Sequence, residues 1–294
     1  ATYLKNKVIT LPEQNRAEGI LSSPYKIVEG KSRYEYYTYT WCGIDQMTGN
    51  SMYTFNDEEY YITDNNEADG NIIYGSKTHL NAEGVEVDNT LMAADNYTII
   101  NGKAYVNNTS FAKREWHGSA LPKVFGSFAG TVSYKGLTLS ALLTYSLGGK
   151  IMDSNYSSLL GASTSPRSYH KDALQSWNGV PEGMTESSAD RLNMNGFAQL
   201  NNVDAANSYN NTTSSRFLTS RDYLVIKNIN LSYQLPRTWT KAMDLSNVSL
   251  IATVENLATF TARQGMDPQQ NVSGGQYNYL VTPRVYSFGV NVKF

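Results

Sequence analysis

The chain has 294 residues, a formal net charge of −2 and a pI near 6.0. That charge balance excludes the electrostatic footprint of a nucleic-acid binder, and the single cysteine, Cys42, excludes an internal disulfide. Charged residues make up only 17%, while Tyr reaches 22 against 9 Phe and 4 Trp, which suits an all-β chain with amphipathic surfaces and long polar loops.

Mean hydropathy is −0.43, and no run of about 18 apolar residues occurs, so the sequence holds no transmembrane helix. A barrel remains open, because its wall hides apolar residues at every second position and polar loops dilute them further. The start, Ala1-Thr-Tyr-Leu-Lys5, lacks the basic and apolar regions of a signal peptide. An outer-membrane protein needs one, so the expectation is a processed chain or the C-terminal part of something longer.

In chain order, residues 7–11 and 25–28 read as strands, with Glu29-Gly30 as a turn. Residues 33–41 are very rich in β-formers, with aromatics on both faces. This strand is expected to rise past the bilayer into the outer rim. Residues 42–122 read as a long polar excursion that opens with a turn over residues 43–49. Residues 64–70 resemble a calcium loop superficially. Ala68 in the fifth position and Gly70 in the seventh break the required spacing, so an Asn/Asp turn is expected there.

Residues 125–147 carry the clearest architecture. Phe128, Gly130, Val132 and Tyr134 alternate with Ala129, Thr131 and Ser133, and Lys135-Gly136 supplies a two-residue turn. Then Leu137, Leu139, Ala141, Leu143, Tyr145 and Leu147 alternate with small polar residues, broken only by Leu142. Two such strands suit an apolar band of roughly 25 Å crossed at a tilt.

Residues 148–220 form a second long polar segment. A strand follows over residues 222–235, with Val225, Ile229, Leu231, Tyr233 and Leu235 expected on one face and Asn228, Asn230, Ser232 and Gln234 on the other; Pro236 ends it. Residues 237–246 are a short connection. Val248, Leu250, Ala252 and Val254 alternate in the next strand, and a third long loop spans 258–283. From Tyr286, every second residue is apolar: Tyr286, Phe288, Val290, Val292 and Phe294. A final aromatic suits the interfacial girdle of a membrane barrel.

Loop lengths orient the strands, because bacterial barrels place short turns inside and long loops outside. With Phe294 at the periplasmic end, loops 42–122, 148–220 and 258–283 all fall outside, and the Lys135-Gly136 turn and residues 236–247 inside. Tyr134 and Phe294 then belong to the inner aromatic girdle, Tyr145 and Tyr286 to the outer one. Lys227 is expected near the outer rim, on the face of Val225 and Ile229.

Several stretches, taken in order, resemble the C-terminal barrel of the SusC/RagA-type TonB-dependent nutrient transporters. They are residues 37–45 with Thr48-Gly49, 133–140, Gly148-Gly149-Lys150, 222–236, Glu255-Asn256-Leu257, Gly265-Met266-Asp267-Pro268 and 284–294. The family's plug and TonB-contacting segment are not in this sequence. The resemblance implies an all-β, antiparallel transmembrane β-barrel, to which residues 1–294 contribute six to eight strands of about 22. It also implies multi-pass residence in the outer membrane and import of oligosaccharides or peptides. The remaining implications are a SusD-like surface lipoprotein as lid, energy relayed by TonB to the absent plug, and no enzyme activity or cofactor.

On that reading the loop aromatics Trp177, Tyr169, Tyr209, Tyr277 and Tyr279 are candidates for stacking on sugar rings; the alternative is that they pack loops together or meet the lid. Asn228, Asn230 and Glu255 either touch ligand or line a wet interior. Phe288, Val290, Val292 and Phe294 form the candidate barrel-assembly strand. An enzyme of Asp/His chemistry is a further alternative, but His79, His117 and His170 all fall in loops without a partner carboxylate at a telling spacing. Zinc spacing, a nucleophile elbow and a phosphate loop are missing from the sequence. A third alternative is a small self-contained outer-membrane barrel with a structural or adhesive role.

Overall fold

A computed structural model describes residues 1–63, 73–76, 97–161, 167–200, 210–263, 265–270, 275–276 and 281–294. The calcium-like stretch at 64–70 lies outside the described residues.

The frame is a six-stranded antiparallel sheet. Its strands are β1 (Thr2–Tyr3), β2 (Val124–Tyr134), β3 (Leu137–Leu147), β4 (Tyr223–Gln234), β5 (Asn247–Thr261) and β6 (Val285–Lys293). Within this sheet each pairs with the next of the six, although other strands intervene in the chain. The β2–β3 hairpin has Tyr134 opposite Leu137 and Val124 opposite Leu147, an unbroken register. Its turn requires left-handed backbone at both central residues, and Lys135 (φ 46°) and Gly136 (φ 84°) adopt it. Gly136 also passes close to β4: a Cβ there would lie 2.9 Å from the Gln234 carbonyl oxygen.

Register converts the alternation into two faces. Phe128, Val132, Tyr134, Leu139, Leu231, Leu250, Tyr286, Phe288 and Val290 all point to one side and remain exposed. The other side carries Thr131, Ser133, Thr138, Ser140, Asn228, Asn230, Ser232 and Thr253. A face this apolar, uncovered across neighbouring strands, is what a wall turned toward lipid presents. The all-β antiparallel expectation stands, and the described part of the sheet does not close on itself: β1 and β6 are its unjoined edges.

The alternation of β4 differs from its sequence reading. Against β3 the register of β4 shifts between Leu142 and Leu143, leaving Lys227 as the extra residue of a β-bulge; against β5 it shifts between Ile226 and Asn228, where Lys227 faces two residues, Asn256 and Leu257. Above the bulge Val225 pairs with Thr144 and Thr259, so it faces the polar side and is fully buried. Leu224 and Ile226 take the apolar side instead. Val225 therefore does not share the face of Ile229 and Leu231. Lys227 sits at the level of Leu142 and Leu143, midway along β3, and not at the outer rim; its Nζ donates to Asn256 Oδ1 at 3.2 Å. One inserted residue flips the pattern, which strict periodicity cannot register.

Above the wall, the described residues of 20–122 and 148–220 form a folded layer, where the sequence reads 42–122 and 148–220 as polar excursions. A five-stranded sheet joins Leu192–Asn193, Trp41–Asp45, Ser51–Thr54, Lys103–Val106 and Tyr97–Ile100. A four-stranded sheet joins Arg114–Ser119, Glu35–Tyr39, Tyr25–Ile27 and Ile20–Ser22. Two cores hold the layer, one around Tyr53, Phe55, Val106 and Phe111, the other around Tyr36, Met152, Leu160 and Phe217. Each core draws its side chains from short strands and helical turns far apart in the sequence, so no single segment shows it. Residues 7–11 are not a strand; Val8 makes two backbone bonds, to Lys31 and Gly30. The short connection after Pro236 contains an α-helix, Arg237–Lys241.

Candidate functional site

The polar face of the wall satisfies itself by cross-strand pairs. Thr131 Oγ1 and Ser140 Oγ lie 3.0 Å apart, and Ser133 Oγ and Thr138 Oγ1 2.9 Å. Asn230 Nδ2 donates to Thr253 Oγ1 at 2.7 Å, and Gln234 Nε2 to Asn247 Oδ1 at 3.1 Å. A shallow depression of about 310 Å³ opens between Thr131, Ser140, Leu142 and Asn228. Glu255 is exposed on this face, in register with Asn228. Asn228 and Glu255 thus share one wet surface with Asn230, as their alternation implies.

Arginines fasten the three long segments 42–122, 148–220 and 258–283 to one another through their described residues. Arg191 from the second grips Asp45 of the first through two bonds, Nε to Oδ1 at 2.7 Å and Nη2 to Oδ2 at 2.9 Å. Arg263 from the third donates to Asp153 Oδ2 at 2.9 Å and lies 4.0 Å from the centroid of Tyr156. Arg221 donates to the carbonyls of Ala120 at 2.9 Å and Pro268 at 3.1 Å. Arg216 stands among Trp41, Phe197 and Phe217, 4.8 Å from the centroid of the Trp41 ring, and burial lowers its pKa. Asp267 ties the Gly265–Pro268 stretch down: Thr282 Oγ1 donates to it at 2.5 Å and the Gln269 amide at 3.2 Å. Burial opposes its ionisation, yet these bonds hold its pKa below the ordinary carboxylate value.

The candidate aromatics are placed unequally. Trp177 is half-buried; its Nε1 donates to the Gln46 carbonyl at 2.9 Å, and its ring covers Gly49 so closely that a Cβ there would lie 2.4 Å from it. Gly49 is in the left-handed region, φ 74°, so its lack of a side chain serves both backbone and ring. Trp177 is a packing residue of the layer. Tyr169 is exposed, with the Arg167 guanidinium 5.3 Å from its ring centroid. Trp177 and Tyr169 are therefore held by different partners. Tyr209, Tyr277 and Tyr279 lie outside the described residues. Phe288, Val290 and Val292 stand on the apolar face of β6, opposite Ala252, Leu250 and Val248, and Phe294 beyond them is exposed.

The fold also brings together carboxylates and histidines that look unpaired in the sequence. His170 Nδ1 lies 3.3 Å from Asp172 Oδ2 and accepts the Asp172 amide, capping a short 3-10 helix. Tyr156 OH donates to the same carboxylate at 2.6 Å; burial, then this bond, push its pKa up to about 12. Thr40 Oγ1 joins Glu115 Oε2 at 2.5 Å and approaches His117 Nε2 at 3.3 Å. Both described histidines are spent on local structure, and His79 lies outside the described residues. A cleft of about 340 Å³ escapes the sequence altogether, because its lining of Lys26, Tyr37, Tyr39, Glu58, Glu59 and Arg114 comes from separate strands and loops. Burial and the neighbouring Glu58 and Glu59 raise the Tyr37 pKa.

No family model matches the chain. Among curated proteins, it is 26% identical over 198 residues to TonB-dependent receptor P3 of Formosa agariphila, covering 63% of this chain and 18% of that protein. It is 22% identical over 279 residues to TonB-dependent receptor P39 of the same organism, covering 91% of this chain and 25% of that protein. The chain thus spans a quarter or less of the length of these relatives. The RagAB peptide importer in its 'open-open' state matches 98% of this chain and 25% of that chain, with a TM-score of 0.61 at 16% identity. The 'closed-closed' state gives a TM-score of 0.59 at 18% identity, covering 98% of this chain and 26% of that chain. Relatives by sequence, neighbours by fold and the ordered motifs agree, and on them the chain is recognised as similar to part of the β-barrel of SusC/RagA-type TonB-dependent receptors.

Proposed function

We propose that residues 1–294 supply the C-terminal wall strands and outer loops of an outer-membrane importer. It takes up oligosaccharides or peptides with a SusD-like surface lipoprotein and is energised through TonB acting on a plug outside this chain. The observation that carries this reading is the wall itself: one face apolar and exposed, the other polar, with both edges unjoined and a folded layer on top. Unjoined edges favour a piece of a larger barrel over a small self-contained one, which needs its first and last strands paired. The segments 42–122, 148–220 and 258–283 are the outward-facing side. Tyr169, exposed in that layer, is the described aromatic best placed to meet a ligand, and Tyr209, Tyr277 and Tyr279 stay candidates beside it.

The test is the intact mass of the native protein isolated from outer membranes, together with whatever co-purifies, followed by uptake assays with and without the proton gradient. A mass far above 32.7 kDa, a lipoprotein partner and gradient-dependent uptake support the importer. A mass near that value with no partner and no uptake overturns it in favour of a small barrel.

A further inference from the structure

Cations gather at the outer corner of the wall. Lys5, Lys7, Lys31, Arg33 and Lys123 are all exposed, and among the described residues none of them is in an ion pair. Backbone bonds hold their segments side by side. The Leu4 amide donates to the Lys123 carbonyl at 2.9 Å, and the Val8 amide to the Lys31 carbonyl at 2.8 Å. Asn6 Oδ1 accepts from the Arg33 amide and from Ser32 Oγ, each at 3.2 Å. Nearby Glu29 is engaged by the Leu11 amide and by Arg16, so it does not neutralise the group.

The position of this group tells what it meets. Tyr3 pairs with Val124, which pairs with Leu147, so Tyr3 stands on the lipid-facing side of the wall's last rung, and it is exposed. Lys5 follows Tyr3 by two residues, directly beyond the end of β1. A tyrosine at the end of an apolar band with lysines directly beyond it is the sequence of environments from hydrocarbon to headgroup. Lys31 Nζ also lies 4.5 Å from the centroid of the Trp116 ring, which gives the cluster a flat aromatic surface beside its charge.

We propose that Lys5, Lys7, Lys31, Arg33 and Lys123 form a cationic collar that holds phosphorylated headgroups of the lipid leaflet around the outer end of the wall. Unpaired ammonium and guanidinium groups at this level gain more from a fixed phosphate than from water, because a headgroup anchored in the leaflet is already concentrated at the site. The collar rests on reading the sheet as membrane wall with residues 42–122 outside.

The experiment takes the protein as expressed from its own gene, extracted from outer membranes in mild detergent, and counts retained phosphorylated glycolipid by native mass spectrometry. Three proteins are compared: wild type, a variant carrying Lys5→Gln, Lys7→Gln, Lys31→Gln, Arg33→Gln and Lys123→Gln, and Lys135→Gln at the opposite end of the wall. Wild type and Lys135→Gln are expected to retain the lipid, and retention is expected to weaken about five-fold for each collar charge removed. If the combined variant fails to reach the membrane, Lys31→Gln and Lys123→Gln singly carry the same comparison. Equal retention by collar variants and wild type overturns the collar. Displacement of the lipid by millimolar inorganic phosphate also overturns it, by making the site one for free phosphate. A wild type that fractionates away from the outer membrane sinks the wall reading itself, whereas an outer-membrane wild type with no retained lipid sinks only the collar.

Discussion

Asp45 and Arg191, 146 residues apart, meet in a two-point ion pair with the carboxylate fully buried and the guanidinium nearly so. Asp45 further accepts from the Met47 amide at 3.0 Å and Thr48 Oγ1 at 3.1 Å, so one carboxylate shapes a turn and fastens a distant segment to it. Such a pair is weak evidence of net stability, but breaking it leaves a buried charge uncompensated. Arg191→Met is expected to cost about 3–5 kcal/mol, felt in the outer layer and not in the wall. Limited proteolysis checks this: new cleavage between residues 42 and 63 with an unchanged heat-resistant barrel is the expected result. A cleavage pattern identical to wild type would reduce the pair to a surface contact.

The two faces of β3 separate by substitution. Leu139 lies between Val132 and Leu231 on the apolar side, while Ser140 lies between Thr131 and Asn230 on the polar side. Leu139→Arg or Leu143→Arg is expected to cost about 2–4 kcal/mol at the bilayer midplane, and Ser140→Arg little. Folding into lipid vesicles, followed by chemical denaturation, measures all three. Equal effects would mean that the sheet does not divide lipid from lumen.

This division is the part of the fold most legible in the sequence. Period-two alternation from Phe128 to Leu147 and from Tyr286 to Val292 depends only on local geometry, and the structure follows it residue by residue. The rest rests on contacts that no window contains. Val225 reads as lipid-facing until the bulge at Lys227 turns it inward. Tyr36 and Phe217 lie in one core although 181 positions separate them by their numbers. Trp177 reads in the sequence either as a sugar platform or as a loop-packing residue, and the partner under its ring is a glycine, whose role shows only in space. The arginine fasteners carry no spacing signature at all.

Acid should loosen the outer layer through His117. Burial, then the nearby Lys150, holds its pKa below the ordinary imidazole value, against a hydrogen bond that the ring donates to the Thr38 backbone and against the Glu115 charge. The folded state therefore prefers the neutral ring, and the unfolded chain takes up a proton at higher pH than the folded one. The resulting stability is present above the unfolded value, about pH 6.5, and is lost as pH falls through the folded one. Hydrogen exchange across the paired strands Glu35–Tyr39 and Arg114–Ser119, corrected for intrinsic rates, should be faster at pH 5.5 than at pH 7.5. His117→Gln should abolish the difference. An unchanged difference in that variant would assign the effect to another group.

The edge strand β6 sets the last expectation, because its two faces should fail differently during assembly. Phe288 stands opposite Ala252 and is 84% exposed on the apolar side; Asn291 stands opposite Ser249 on the polar side. Only β5 pairs with β6 among the described residues, so Phe288 has neighbours along one flank and its ring must be covered by lipid or by a further strand. Phe288→Asp places a charge where no water reaches once the strand is inserted, whereas Asn291→Asp places it toward a wet interior. The expected outcome is a several-fold drop in outer-membrane level for Phe288→Asp and for Phe294→Asp, with Asn291→Asp close to wild type. Quantitative blotting of separated membranes reads it directly. Normal levels of Phe288→Asp would remove β6 as the barrel-assembly strand, since its apolar face would then have no membrane to meet.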